Sequence, residues 1–320
     1  MKSTHKVEIV PVHLEKHPNA DSLSIVHIFG GYTCVVRTED WHEGQLAAYI
    51  VPDSLVDTSR PEFSFLQEHS RIKVKKIRGI VSMGLLIPAP IGANIGDNVA
   101  EQLGVTRYEP PLDLRFTGES VKAPDGYHPT YDVDSLLRYS YVFNEQELVW
   151  VTEKIHGANA RFCYINGQMY CGSRTHWKKQ DQASPWWIAL AQHPAVGEFC
   201  KNNPDMTVYG EIYGNVQSLK YGLKNTIQIA VFDILLGSIF LDPLEALRIG
   251  KSLPWVPLVS HQTPFYLPKL EALAEGRSLM PNANHVREGI VVKPLHERTH
   301  PEIGRVCLKL INPTYLEKSQ

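Results

Sequence analysis

Short apolar runs of strand length, each closed by turn residues, recur from residue 7 to about residue 105 and limit the folds this part of the chain can form. The runs are residues 7–10, 23–28, 33–36 and 47–51. Gly30, Gly31, Gly44 and Pro52 lie between them, and such residues favour turns. The pattern predicts a small β-barrel of about five strands.

A second informative stretch is VTEKIHGANA at 151–160, in which one lysine, Lys154, ends a short apolar strand ahead of a glycine. A lysine amine attacks only when neutral, and its ordinary pKa is about 10.4, so burial or a neighbouring cation must favour the neutral form. Val149, Val151 and Ile155 provide the apolar surroundings. We interpret Lys154 as a covalent nucleophile, although the four-residue match KIHG, taken alone, also fits an exposed strand lysine.

The residues after Lys154 predict an antiparallel sheet. Asn166 and Gly167 separate two apolar runs, and Asn-Gly is the strongest short-range hairpin signal. Further segments combining apolar residues with isolated charges follow in order at 172–175, 208–214, 230–234, 287–294 and 306–310. Runs at 185–192 and 267–274 have the spacing of helices that pack on a sheet.

The length of 320 residues suggests two domains, and a content of 43% apolar and 21% charged residues is ample for a buried core. Prolines and glycines between 106 and 131 predict a linker at 111–131. It would separate a domain at 1–110 from one at 132–320, which opens with a short helix at 132–139. A net charge of −2 neither supports nor excludes a nucleic-acid partner, because binding needs only a local basic groove.

The sequence also indicates where the chain resides. The five cysteines include no Cys-x-x-Cys pair, so we expect reduced thiols rather than disulfides or zinc ligands. The N-terminus lacks an apolar signal core, and prolines interrupt the longest uncharged runs. We therefore expect a cytoplasmic protein without a membrane span.

Two segments of the first domain, 17–23 and 78–85, resemble those of oligonucleotide-binding (OB) barrels that serve as tRNA-binding appendages. Such barrels bind strands with basic and aromatic side chains. Strand alternation between 71 and 78 would place Lys73 and Lys75 opposite Ile72 and Val74. The candidate nucleic-acid contacts in this run are Lys73, Lys75, Lys76 and Arg78. A solvated strand face on an inert supporting barrel is the alternative.

The ordered segments between Glu153 and Lys309 are similar to the motifs of the covalent nucleotidyltransferase superfamily, which contains polynucleotide ligases and mRNA capping enzymes. Within it the chain resembles the phage RNA ligase 2 branch and, over both halves, the bacterial Deinococcus-type RNA ligases with an extra N-terminal OB domain. His156 stands where DNA ligases and capping enzymes usually have aspartate. The resemblance implies a β-rich α+β fold, in which an N-terminal OB-fold β-barrel precedes a nucleotidyltransferase domain of antiparallel sheets flanked by helices.

The same resemblance implies an activity. Lys154 would attack the α-phosphate of ATP to form lysyl-AMP, AMP would pass to a 5′-phosphate end, and a 3′-hydroxyl would displace it. The implied cofactors are ATP and Mg²⁺ or Mn²⁺. The implied partner is RNA, as a nicked duplex with 3′-hydroxyl and 5′-phosphate ends. We expect a monomer that seals nicks in RNA repair.

The remaining site residues take their roles from the resemblance. The nucleotide-binding set is Glu153, Ile155, Asn159, Arg174, Glu211, Phe232, Lys293 and Lys309, and the metal set is Glu288 and Asp233. Glu153 would accept a hydrogen bond from the adenine amino group, and Phe232 would stack on adenine. Lys293 and Lys309 would bind the α-phosphate as point charges. The spacing assigns no role to His156.

The chain departs from the related ligases in the last motif, and two other functions are disfavoured. The related ligases carry two lysines in the last motif, whereas here Lys309 stands alone and Arg305 is an open substitute. A DNA ligase or GTP-using capping enzyme is disfavoured by His156 and by the expected absence of a C-terminal OB domain after Lys309. An RNA- or tRNA-binding OB protein with an inactive ligase-like domain is disfavoured because Lys154 and its expected partners are all present.

Overall fold

A computed structural model describes residues 5–108 and 119–318. The chain divides into two compact units between residues 110 and 111, with the residues from 316 onward counted with the first unit. Of the predicted linker at 111–131, residues 111–118 lie outside the described part of the chain. Each unit has its own hydrophobic core, so each is described by itself.

The first unit is made almost entirely of short strands. Its elements are β1 (Val7–Pro11), β2 (Glu15–Lys16), β3 (Leu23–Ile28), β4 (Tyr32–Arg37), β5 (Leu46–Ile50), β6 (Ser54–Leu55), β7 (Val74–Ile77), β8 (Ile80–Met83), β9 (Leu85–Pro88), α1 (Ala100–Leu103) and β10 (Thr106–Arg107). They pair as β1-β5-β9, β2-β3-β4, β7-β8 and β6-β10. All pairs are antiparallel, and β1, β5 and β9 pack on an apolar core.

The predicted basic run lies on the hairpin formed by β7 and β8. Arg78 and Gly79 occupy its turn with φ of 48° and 95°, a left-handed conformation that glycine adopts without strain. Lys75, Lys76 and Arg78 are exposed, whereas Lys73 precedes the strand and is half-buried. The predicted alternation holds from 72 to 75, because Ile72 and Val74 are buried while Lys73 and Lys75 are more exposed, and Lys76 also reaches solvent.

The second unit contains two larger sheets. Its elements are β11 (Ser120–Val121), β12 (Asp134–Ser135), α2 (Leu136–Tyr139), β13 (Leu148–Lys154), β14 (Ala158–Ile165), β15 (Gln168–Gly172), β16 (Trp177–Lys178), α3 (Pro185–Gln192), α4 (Pro194–Asn202), β17 (Met206–Gly214), β18 (Ile227–Leu236), β19 (Ile239–Phe240), α5 (Pro243–Ile249), β20 (Leu258–Pro264), α6 (Leu267–Ala274), β21 (Gly289–Pro294), β22 (Thr299–His300), β23 (Gly304–Arg305), β24 (Leu308–Ile311) and α7 (Pro313–Lys318). The seven-stranded sheet has the order β11-β16-β15-β14-β17-β18-β19, and the five-stranded sheet has the order β12-β24-β21-β13-β20.

Local sequence accounts for much of this unit. Asn166 and Gly167, with φ of 52° and 79°, form the predicted turn between β14 and β15. The helices predicted at 185–192 and 267–274 are α3 and α6, and their apolar faces pack into the cores beside the two sheets. The helix predicted at 132–139 is shorter, because residues 134–135 form β12 and only Leu136–Tyr139 is helical.

The described part of the predicted linker contributes to the second unit. Ser120 and Val121 pair with β16 at the edge of the seven-stranded sheet. Tyr131 is buried and packs on Tyr209 and Phe232. The prolines of this stretch therefore accompany an extended segment that lies against the sheet.

Two glycines let the strands around Lys154 approach closely. Gly157 connects β13 of the five-stranded sheet to β14 of the seven-stranded sheet, and a Cβ there would lie 2.1 Å from the Ile212 carbonyl oxygen. Gly289 pairs with Lys154 across β13 and β21, and a Cβ there would lie 2.2 Å from the Leu310 carbonyl oxygen. Both contacts are with backbone, so a side chain would force the strands apart.

All five cysteines are buried free thiols. No helix in residues 5–108 and 119–318 is long and apolar enough to cross a membrane.

Gly289→Ala should destabilise the protein by about 1–3 kcal/mol, because the new methyl group overpacks against the backbone of β24. Gly197→Ala is the matched control: Gly197 lies inside α4, and its Cβ would meet only Leu190, at 3.8 Å. There alanine should stabilise by roughly 0.5–1 kcal/mol. Thermal denaturation of both variants checks this, and equal shifts would contradict the steric argument.

Candidate active site

Lys154 lies at the end of β13, where its amine donates a hydrogen bond to Glu288. The distance from Lys154 Nζ to Glu288 Oε1 is 2.7 Å. The side chains are 24% and 11% exposed, so the pair is reachable from one side while most of its hydration has been removed. A charge-assisted bond of this kind holds the amine in one place.

Buried oxygens around this pair lack partners. Glu288 Oε2 and Asn159 Oδ1 are both buried, and neither has a hydrogen-bond partner among the described residues. Burying such acceptors is costly unless something binds them. A hard divalent cation fits these oxygens by its ligand chemistry, because Mg²⁺ and Mn²⁺ prefer carboxylate and amide oxygens.

Protein oxygens alone do not complete a cation site. Within the described residues, no three His, Cys, Asp or Glu side chains are grouped so that they could hold a metal ion. Such an arrangement is expected where a metal is bound through one or two carboxylates and the phosphates of a substrate.

Glu211, on β17, is the second carboxylate near Lys154. It pairs across the sheet with Asn159 of β14. Burial raises its pKa to about 8, the charge of Lys154 and a hydrogen bond from the Gly157 amide act in the opposite direction, and the neighbouring Glu288 raises it further. Glu211 therefore favours its protonated form until a cation approaches.

Glu153 precedes Lys154 and is fully buried. Its Oε1 accepts a hydrogen bond from Ser278 Oγ at 2.5 Å, and its Oε2 accepts one from the Leu279 amide at 2.6 Å. Burial raises its pKa, although these two hydrogen bonds partly oppose that shift. The loop at 278–279 thus fixes the carboxylate as a hydrogen-bond acceptor.

An apolar wall forms beside Lys154. Ile155 belongs to a cluster with Tyr221, Val256 and Met280, and Phe232 packs against the same cluster. Phe232 is only half-buried, so part of its ring faces outward. Such a surface suits an aromatic base.

Asp233, predicted as a metal ligand, sits in a different setting. It is 1% exposed, and its Oδ2 lies 2.6 Å from Lys293 Nζ, 2.8 Å from Arg305 Nη2 and 2.5 Å from Tyr131 Oη. Burial raises its pKa, but Arg305 and Lys293 outweigh that effect, and the net pKa is lowered. Because two cations already neutralise this carboxylate, the surroundings of Asp233 do not support its predicted role as a metal ligand.

The cations expected at the phosphate are placed unequally. Lys293 also donates to the Phe232 carbonyl oxygen at 2.9 Å, so its amine lies at β18. Lys309 lies on β24, half-buried, opposite Val291 of β21. Arg174 forms an ion pair of 3.1 Å with Asp132 at the protein surface. Arg305, the open substitute for a second lysine, is bound by Asp233 and by both oxygens of Glu297.

His156 is enclosed by residues that the motifs did not indicate. Its backbone amide donates to Tyr221 Oη at 2.6 Å, and its ring nitrogens contact Ser218 and Tyr315. Tyr131, Ser278 and Tyr315 were all missed, because each lies far along the chain from the residue that it contacts. The sequence indicates only that a buried charged residue needs hydrogen-bond partners. It does not indicate which residues those partners are.

Comparisons with known proteins identify relatives for both units. The model of the RNA ligase family matches residues 147–311, and a model of an OB-fold domain matches residues 6–89. Among curated protein sequences no relative was found. The two matches confirm the predicted fold class, an N-terminal OB fold followed by a sheet-rich ligase domain.

Solved structures of similar fold come from Naegleria gruberi. An RNA ligase variant in the apo form is 22% identical, covers 99% of both chains and has a TM-score of 0.85. A variant with AMP and Mn is also 22% identical, covers 98% of both chains and has a TM-score of 0.85. The ligase with PPi is 23% identical, covers 99% of both chains and has a TM-score of 0.84.

Glu211→Gln should stabilise the ligand-free protein at pH 8 by roughly 1–3 kcal/mol and have little effect near pH 5. Glu211 has a folded pKa of about 8, above the ordinary value, so the wild type loses stability as pH rises from about 4.5 to 8. Glutamine removes that loss. Urea denaturation of both proteins at the two pH values tests this, and a pH-independent difference would contradict it.

Proposed function

Because the chain belongs to the RNA ligase family, we propose that it is an ATP-dependent ligase that joins RNA 3′-hydroxyl and 5′-phosphate ends through a lysyl-AMP intermediate on Lys154. One observation carries the choice of nucleophile. The amine of Lys154 is partly exposed, lies 2.7 Å from Glu288, and stands beside an apolar wall and one further carboxylate, that of Glu211.

In the first step, Nζ of Lys154 bonds to the α-phosphorus of ATP, the bond to the bridging oxygen breaks, and pyrophosphate leaves. The amine must lose a proton to attack, and Oε1 of Glu288 already accepts a hydrogen bond from it. The AMP then passes to an RNA 5′-phosphate, and a 3′-hydroxyl finally displaces it. Each step is a displacement at phosphorus, so positioning and charge neutralisation dominate.

The residues of the apolar wall would hold the base and sugar. Phe232 and Ile155 offer a face for stacking, and Glu153 is oriented as an acceptor for an amino group. Glu211 and Arg174 are the proposed sugar contacts. Lys293 and Lys309 are the proposed α-phosphate contacts, with Lys293 reaching the phosphate from its place beside Asp233.

A divalent cation, Mg²⁺ or Mn²⁺, would be held by Glu288 with Asn159 or Glu211, and when bound it supplies neutralisation of phosphate charge. The related Naegleria structures with ATP or AMP and Mn support this choice of cofactors.

The RNA substrate is proposed to be a nicked duplex, sealed in RNA repair by a monomer in the cytoplasm. The OB unit, here residues up to 110, supports this proposal by presenting Lys75, Lys76 and Arg78 on an exposed hairpin. Positive side chains of this kind bind phosphates without reading sequence.

Lys154→Ala should abolish covalent labelling of the protein by ATP that carries a label on its α-phosphate, in the presence of Mn²⁺ or Mg²⁺. No other amine is expected to form the phosphoramidate, so labelling should fall at least 100-fold. Lys251→Ala, at an exposed lysine of the same unit, is the control and should label normally. A wild-type protein that takes up no label would favour the inactive RNA-binding alternative.

Lys75→Glu combined with Lys76→Glu should weaken sealing of nicked RNA several-fold, most strongly at low salt, while labelling by ATP stays unchanged. Charge reversal replaces phosphate attraction with repulsion. Lys201→Glu combined with Lys251→Glu changes the net charge equally at exposed sites of the second unit and is the matched control. Equal loss of sealing in both pairs would mean that the hairpin makes no specific contribution.

A further inference from the structure

The ring of His156 is held at both nitrogens. Nε2 lies 3.0 Å from Ser218 Oγ, and Nδ1 lies 3.0 Å from Tyr315 Oη. The same Nδ1 lies 3.8 Å from Oε2 of Glu288, which is too far for a hydrogen bond. Oε2 is the buried oxygen of Glu288 without a hydrogen-bond partner among the described residues.

Tyr315 is positioned relative to Glu288 by the start of α7. Asn312 is fully buried, its amide donates to the Glu288 carbonyl oxygen at 2.9 Å, and its Nδ2 donates to the Arg287 carbonyl oxygen at 3.1 Å. Its Oδ1 accepts a hydrogen bond from the Thr314 amide at 2.9 Å. The segment that carries Tyr315 is thus tied to the backbone that carries Glu288.

The Tyr315 hydroxyl occupies Nδ1 in either neutral tautomer of His156. If Nε2 carries the proton, Nδ1 accepts from the hydroxyl, and if Nδ1 carries it, Nδ1 donates to the hydroxyl oxygen. In both cases the ring makes no hydrogen bond to Oε2 of Glu288. Without the hydroxyl, a small rotation would let Nδ1–H donate to that oxygen, because the gap is only 3.8 Å.

We propose that Tyr315 is a positioning residue that keeps the His156 ring off Glu288 and so leaves Oε2 of this carboxylate available to a divalent cation. The proposal rests on the proposed function, in which Glu288 binds the metal. The proposal assigns a shared role to His156 and α7, because Tyr315 of α7 restrains the His156 ring beside Glu288.

The test is a titration of the full-length protein with Mn²⁺ in the presence of AMP, whose phosphate can complete the ligands of the cation, followed by electron paramagnetic resonance of the free ion. Tyr315→Phe should bind Mn²⁺ about tenfold more weakly than the wild type, because a hydrogen bond to the carboxylate must then be broken. Tyr266→Phe, at a tyrosine 58% exposed, is the matched control and should bind normally.

Ser218→Ala separates positioning from general support. It removes the other contact of the ring but leaves Tyr315 on Nδ1, so Mn²⁺ affinity should remain within about twofold of the wild type. If the ring merely needs anchoring, Ser218→Ala and Tyr315→Phe would weaken binding alike, and the proposal would be overturned.

A double-mutant cycle with His156→Ala completes the test. If Tyr315 acts through the ring, Tyr315→Phe has no further effect on Mn²⁺ affinity once the ring is absent. Undiminished affinity in Tyr315→Phe, a loss that persists without the ring, or no Mn²⁺ binding by the wild type would each overturn the inference. Covalent labelling of the wild type by ATP, measured in parallel, tests the proposed function separately.

Discussion

The ion pair between Lys154 and Glu288 is the interaction around which the second unit is arranged. The lysine ends β13 and the glutamate immediately precedes β21, so their contact depends on the pairing of these two strands. The strands can pair so closely because Gly289, opposite Lys154, has no side chain to meet β24. Gly157 likewise lacks a side chain where the chain passes from the five-stranded to the seven-stranded sheet, so the backbone there can lie close to β17.

The carboxylates near the pair differ in their hydrogen-bond and ion-pair partners, and that difference bears on the roles proposed for them. Both oxygens of Glu153 are hydrogen-bonded by one loop, so Glu153 is fixed in place. Glu211 has a raised pKa, and one oxygen of Glu288 has no hydrogen-bond partner among the described residues, so an added cation would stabilise both carboxylates. Asp233 has two cations of its own, and a metal there would compete with them.

Much of the fold was predictable because it depends on local chemistry. Asn166 and Gly167 specified a hairpin by themselves, and the helices at 185–192 and 267–274 followed from apolar spacing. The stretch at 111–131 has the prolines and glycines of a linker, whereas the burial of Tyr131 depends on its hydrogen bond to the distant Asp233. Composition does not report such distant pairing.

In the candidate site too, the residues in short motifs were predictable, whereas their distant partners were not. The motifs indicated Lys154, Glu211 and Lys293, which lie on strands, and Glu288, which immediately precedes β21, since each follows from a short segment. Its supporting contacts come from loops and from the last helix, as with Ser278 for Glu153 and Tyr315 for His156. Their side-chain chemistry is common, so nothing in the sequence distinguishes them from surface residues.

The charges around Asp233 bear on whether Arg305 can take the place of a second lysine beside Lys309 in the last motif. Arg305 forms an ion pair with Asp233 and donates hydrogen bonds to both oxygens of Glu297, and its side chain is 19% exposed. Moving it toward a phosphate would leave Glu297 without its ion-pair partner, which costs several kcal/mol, roughly 3–5 for a buried pair. Lys293 is held by Asp233 and one carbonyl oxygen, and if it turns to a phosphate, Arg305 still neutralises that aspartate. In the proposed mechanism, Arg305 would therefore substitute for a second lysine only indirectly, by allowing Lys293 to leave Asp233 and join Lys309 at the phosphate.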